Sequence, residues 1–147
     1  MRIVYMGTPE IARACLERIY ADGHEIAAVY TKIDTPKNRG MKLTASPVKE
    51  FAVEKGIPVV QPRSFRDEAV VEQLRQLQPE LICVVAYGKI LPQTVLDIPK
   101  YGCINIISVA IDAPQPVISA LSGQIGSLPG VSAKTAYSPV IAQEDAP

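Results

Sequence analysis

Asn105 is the residue whose type and setting most invite chemistry. It is the one polar side chain in the apolar run Gly102-Cys103-Ile104-Asn105-Ile106. A carboxamide carries both a donor and an acceptor. At a strand end it either holds a polarised carbonyl oxygen or satisfies a local backbone group. Upstream, residues 81–86 form an unbroken Leu-Ile-Cys-Val-Val-Ala run that stops at Tyr87-Gly88. A run this short and apolar reads as a strand buried on both faces, as in a parallel sheet. Ligands of open α/β sheets sit beyond the carboxyl ends of such strands, so the turn after residue 86 is the natural neighbour of Asn105. Gly88 gives that turn its freedom, and Pro92 is suited to open a short helix.

A second group of residues is basic. Residues 32–49 hold Lys32, Lys37, Arg39, Lys42 and Lys49 against Asp34 alone, a local net charge of +4. Beside a strand end, such a segment either grips phosphates or is a solvated loop. The whole chain has 15 basic and 15 acidic residues in 147, so any nucleic-acid contact must be local. His24, the single histidine, stands beside Gly23 at a turn and reads as a surface residue, not a base. One histidine excludes a His-based metal cluster, and no metal is expected. Cys15, Cys83 and Cys103 lack ligand spacing and fit reduced, buried thiols in a cytoplasmic protein. Residues 1–6 are too short for a signal peptide, and no apolar stretch reaches membrane-spanning length.

The elements that must position these residues follow from periodicity. Residues 2–6 predict a buried strand. Thr8 is the expected N-cap and Pro9 the first residue of a helix over 9–20, with Ile11, Ala12, Cys15, Leu16 and Ile19 on its inner face. Residues 25–31 supply a second strand, giving a right-handed βαβ unit. It lacks the G-x-G-x-x-G fingerprint, so a dinucleotide is not expected. Residues 32–45 read as a long loop. Ser46-Pro47 opens a helix stopped by Gly56, and 58–60 form a short strand. Ser64 to Asp67 has capping-box spacing ahead of a helix through Leu77, with Val70, Val71, Leu74 and Leu77 inward. The alternation predicts an α/β, Rossmann-like, doubly wound and mostly parallel sheet. Beyond residue 106 the character changes. Only Asp112, Lys134, Glu144 and Asp145 are charged in residues 107–147, which also hold five prolines and six serines. Residues 117–121 and 129–133 are the only regular fragments suggested there.

Several stretches together resemble the amino-terminal domain of the methionyl-tRNA formyltransferase family. They are Met6-Gly7-Thr8-Pro9, Tyr30-Thr31, Arg39-Gly40, Lys42-Leu43-Thr44, Ser46-Pro47-Val48-Lys49, Gly56-Ile57-Pro58, Val84 through Gly88, Ile90-Leu91-Pro92 and Gly102 through Asn105. The resemblance covers residues 1–106 and implies a formyltransferase-type domain there. It implies transfer of a formyl group from 10-formyltetrahydrofolate to the amino group of initiator methionyl-tRNA. In the family the folate pterin docks on backbone groups of the loop matching Ala86, Tyr87, Gly88, Lys89, Ile90 and Leu91. Asn105 matches the family's catalytic asparagine. By the same analogy Lys37, Arg39 and Lys42 are candidates for contact with the tRNA acceptor stem.

The pattern is lost after Asn105. The family continues Val-His-Ala-Ser-Leu-Leu-Pro, and Ile107 stands at the catalytic histidine. Asp145 falls near the distance of the family's aspartate without its surrounding motif. Residues 107–147 are therefore expected to be a truncated or altered remainder of the same domain, and the family's carboxy-terminal tRNA-binding domain is not found. Either the chain is an altered formyltransferase, inactive as written, or it is a non-catalytic folate- or RNA-binding relative. The sequence carries no signal of oligomeric state.

Overall fold

The computed structural model describes residues 1–37, 42–106 and 113–135. The chain divides into two compact units, Met1–Ile107 and Ser108–Pro147.

The first unit is built on apolar runs that bury both faces. Strands β1 (Arg2–Gly7), β2 (Glu25–Tyr30), β5 (Val59–Val60), β6 (Leu81–Val85) and β7 (Cys103–Ile106) make one sheet in the order β5-β2-β1-β6-β7. Every pairing in it is parallel. Alternate residues of each run go to opposite sides. Ile3, Tyr5, Val29, Cys83 and Val85 pack on one face, against Ala12 and Leu16 of α1 (Glu10–Ala21) and Val48, Phe51 and Ala52 of α2 (Pro47–Glu54). Val4, Met6, Ala28, Tyr30, Ile82 and Val84 pack on the other. There they meet Val71 and Leu74 of α3 (Glu68–Gln76), Val95 of α4 (Gln93–Leu96), and Phe65 and Tyr87. Burial on both faces is why the strands read as unbroken apolar runs.

The chain runs outward from β1 to β2 and β5, then crosses back to β6 and β7. The reversal lies between β1 and β6, the kind of switch point beside which open α/β sheets commonly bind ligands. Gly7 stands at this point. A Cβ there would lie 2.7 Å from the Ala12 Cβ and 2.7 Å from the Val85 carbonyl oxygen. Only a residue without a side chain lets α1 and β6 approach β1 this closely.

Local expectations are corrected at several places. Thr8 does not cap α1. The helix begins after Pro9 without a side-chain cap, and the Thr8 hydroxyl instead donates to the Tyr87 carbonyl at 3.0 Å. That bond ties together the loops that follow β1 and β6. Ser46 does cap α2, its Oγ accepting from the Lys49 backbone N–H at 3.0 Å. The cap of α3 is Asp67, not Ser64, and its Oδ1 accepts from Ala69 N–H at 2.9 Å. Ser64 closes a turn to Arg66 N–H instead. This delay lets Phe65 insert between the rings of Tyr30 and Tyr87, with centroids 6.1 Å from each. The expected long loop holds a hairpin, β3 (Thr35–Lys37) antiparallel to β4 (Lys42–Thr44), too short to leave an alternating pattern.

β7 is an edge strand, pairing only with β6 among the described residues. Its Ile104 and Ile106 are 47% and 48% exposed. In the second unit, α5 (Gln115–Gly126) absorbs the fragment expected at 117–121 and extends it, while residues 129–133 form neither helix nor strand. Pro116 sits in its first turn, where proline is tolerated, but with Gly123 it hid the helix from the sequence. No residue of α5 is buried. Among the described residues no helix is long and apolar enough to cross a membrane.

Replacing Gly7 with alanine forces a methyl group into the contact with Ala12 and Val85. We expect a loss of about 1–3 kcal/mol, the usual cost of overpacking, read from the urea unfolding midpoint. An unchanged midpoint would contradict the close approach.

Candidate functional site

A cavity of about 350 Å³ opens along one face of β7, beside the loop that follows β6. Val84 and Leu96 form its apolar floor, Cys103 and Asn105 one wall, and Lys89, Ile90 and Leu91 its lip. Parallel pairing sets Asn105 beside Val84, and the two-residue period of β7 puts Cys103 and Asn105 on the cavity side. Ile104 and Ile106 therefore fall on the opposite face of the strand.

The residues after β6 divide into two sets. Lys89, Ile90 and Leu91 join Asn105 at the cavity. Ala86 and Gly88, at φ +46° and +83°, make the turn that carries the chain there. Tyr87 is buried in the core beside Phe65, and its carbonyl receives the Thr8 hydroxyl. Ile90 is 95% exposed at the lip, an apolar side chain left open beside a concave surface.

The cavity wall holds little proton-transfer chemistry. Its titratable side chains are Lys89 and Cys103. The Cys103 thiol donates to the Leu96 carbonyl at 3.8 Å. Burial, then the charge of Asp97, pushes its pKa up, so it stays a neutral thiol. The Lys89 ammonium donates to the Arg63 carbonyl at 2.8 Å. No imidazole or carboxylate lines the cavity among the described residues. His24 is exposed next to the amino end of β2, opposite the site. The arrangement can hold a flat ligand and hydrogen-bond a carbonyl oxygen through the Asn105 amide. Ile107 and Asp145 lie outside the described residues. No group of three His, Cys, Asp or Glu side chains able to hold a metal occurs among the described residues.

The basic residues of the first unit differ in whether they are paired. Arg2, Arg13, Arg18 and Arg75 are each paired with a carboxylate. Lys32, Arg63, Arg66 and Lys89 follow the carboxyl ends of β2, β5 and β6 and meet no carboxylate among the described residues. The Lys32 side chain crosses Gly88, its Cε 2.4 Å from where a Cβ would stand; that flexible chain end could swing aside, and it is the φ of +83° that favours glycine here. Of the basic segment, Lys42 is exposed on β4 opposite Lys37 of β3. The Lys37 side chain and all of Arg39 lie outside the described residues. Lys49 is not free. It pairs with Asp34 at 2.9 Å, so two of the charges counted in residues 32–49 cancel. That pairing, and the roles of Val84, Leu96, Cys103 and Thr8, were not visible in the sequence. The two-residue step from Cys103 to Asn105 was the one available signal.

The chain is similar to several known proteins. The family described as "Formyl transferase" matches residues 1–107. The methionyl-tRNA formyltransferase of Alkaliphilus oremlandii is 52% identical over 106 residues, 72% of this chain and 34% of that protein. Its counterpart in Ectopseudomonas mendocina is 56% identical over 105 residues, 71% of this chain and 33% of that protein. This chain thus spans about a third of the length of these curated relatives. Among solved structures, glycinamide ribonucleotide transformylase 1 of Geobacillus kaustophilus superposes with a TM-score of 0.54 at 13% identity, covering 83% of this chain and 67% of that one. Phosphoribosylglycinamide formyltransferase of Bacillus halodurans gives 0.52 at 19% identity, covering 71% and 55%. These two share the fold. The match of residues 1–107 to the family, with half of the positions identical to named members across that stretch, means that the chain belongs to the formyl transferases.

Proposed function

We propose that residues 1–106 form the donor-binding part of a methionyl-tRNA formyltransferase. The substrates are 10-formyltetrahydrofolate and initiator methionyl-tRNA, and the setting is the cytoplasm. The observation that carries the reading is the convergence of the Asn105 amide with Lys89, Ile90 and Leu91 around one cavity. A pterin ring against the lip would take hydrogen bonds from backbone groups of residues 86–91. It would also cover Ile90, which is otherwise almost wholly exposed. The cavity falls within the size range of small-molecule sites.

In the reaction the methionyl amine adds to the formyl carbon, and negative charge develops on the formyl oxygen. The Asn105 N–H donates to that oxygen. One such donor is worth about 10²–10³ in rate. Collapse of the adduct breaks the bond to the folate nitrogen. The amine must lose a proton and the folate nitrogen must gain one, and assistance with those transfers is worth about another 10²–10⁴. The family's histidine would supply it. This chain has Ile107 at that position, which has nothing to titrate. The same substitution favours a second reading, a relative that binds folate or RNA without catalysis.

Three outcomes test the proposal. Calorimetric titration with a non-reactive folate analogue should give saturable binding, and no heat at millimolar ligand would remove the donor site. Neutralising Lys37, Arg39 and Lys42 together should flatten the salt dependence of tRNA binding by about 0.7–0.9 log units for each phosphate no longer neutralised. An unchanged slope would make the hairpin a solvated surface. In single-turnover formylation, the chain and its Ile107→His variant should both fall at least about tenfold below a full-length relative, because a histidine needs neighbours to orient it. Full turnover by either would show that proton transfer does not depend on the missing motif.

A further inference from the structure

Two polar rungs close the base of the segment that carries the β3–β4 hairpin. The Thr31 and Ser46 hydroxyls meet at 2.6 Å. Three residues further along on each side, the Lys49 ammonium donates to both Asp34 carboxylate oxygens, at 3.1 and 2.9 Å. Asp34 immediately precedes β3, and Lys49 lies in the first turn of α2. The second rung therefore ties the chain entering the hairpin to the helix that follows it. Gln61, from the loop after β5, adds a third element. Its Nε2 donates to Asp34 at 2.8 Å and to the Lys32 carbonyl at 3.0 Å. The hydrogen bond from Lys49, then that from Gln61, holds the Asp34 carboxyl below its usual range, so the cluster stays ionised.

We infer that Asp34, Lys49 and Gln61 form a clasp that fixes how the hairpin leaves the sheet, making Asp34 a positioning residue for RNA contact through Lys42. The inference rests on the reading of the hairpin as RNA-facing. Two strands of three residues are too short to order themselves. Fastening both ends of their segment removes much of the freedom a bound RNA would otherwise have to remove. The clasp and a simple charge account differ in sign. On charge alone, Asp34 repels phosphates, and neutralising it tightens RNA binding. Under the clasp, the same change frees the hairpin and weakens binding.

The experiment uses the full chain, its Asp34→Asn, Lys49→Met and Lys49→Arg variants, and the Asp34→Asn/Lys49→Met double variant. Each is titrated with initiator tRNA at several salt concentrations. Hydrogen exchange of the hairpin amides is measured without RNA, after circular dichroism has checked that the sheet is intact. Asp34→Asn and Lys49→Met should each weaken binding about three- to tenfold at fixed salt, the scale of one or two phosphate interactions, and speed hairpin exchange. The double variant should be no worse than either single one, and Lys49→Arg should retain wild-type affinity. Tighter or unchanged binding by Asp34→Asn overturns the positioning role. Unchanged hairpin exchange in that variant overturns the clasp whether or not RNA binds. If the wild-type chain binds no tRNA, the RNA-facing reading and the positioning role fall together, while exchange still decides whether the cluster holds the hairpin.

Discussion

The parallel pairing of β1 with β6 is the contact on which the remaining architecture depends. From Ile3 against Leu81 to Gly7 against Val85, five successive residues match across the middle of the sheet. The partners come from opposite ends of the first unit's sequence, so the pairing forms only after the intervening βα units have wound outward and returned. Burial on both faces holds it there, since a slip of one residue would send Tyr5 and Val4 to each other's side. The chain also reverses its direction of progress across the sheet at this seam. Gly7 lets the layers close on the seam, and the Thr8 hydroxyl bridges to Tyr87 above it.

Much of this was legible because it is one-dimensional. The strand of residues 81–86 shows as an apolar run, Ser46-Pro47 as a capped helix start, and Gly56 as its end. The errors share a cause. Thr8 and Ser64 are good caps by residue type, but each is recruited by something distant in sequence, the Tyr87 carbonyl in one case and the burial of Phe65 in the other. The hairpin was missed because three-residue strands carry no usable period. Lys49 was counted among the basic residues of 32–49, and nothing local says that Asp34, fifteen residues away, will pair with it. The lip residues could be foreseen from their place after a buried strand. The floor and wall, Val84, Leu96 and Cys103, depend on register, which a single strand does not specify.

On the proposed reading, a formyl transfer needs two things of this site. Polarising a carbonyl would take one well-placed amide, which β7 would offer at Asn105 through its pairing with β6. Moving protons takes a titratable group with neighbours that set its orientation, and that demands a longer run of matched sequence. The residue proposed for the first lies within the stretch that matches the family. The second would have to come from the stretch that begins at Ile107, where the pattern ends.

The flank of β7 that is unpaired among the described residues has a colloidal consequence. A parallel strand at a sheet edge presents a row of unused N–H and C=O groups, and here two half-exposed isoleucines accompany them. Proteins usually guard such an edge with lysine, proline or a bulge, and Cys103–Ile106 contains none of the three. Balanced charge adds no protection, because 15 cations against 15 anions leave little mutual repulsion between molecules near neutral pH. Among the described residues, Cys103–Ile106 is thus a stretch open to edge-to-edge pairing, on the same strand whose other face carries the amide that would meet the formyl group.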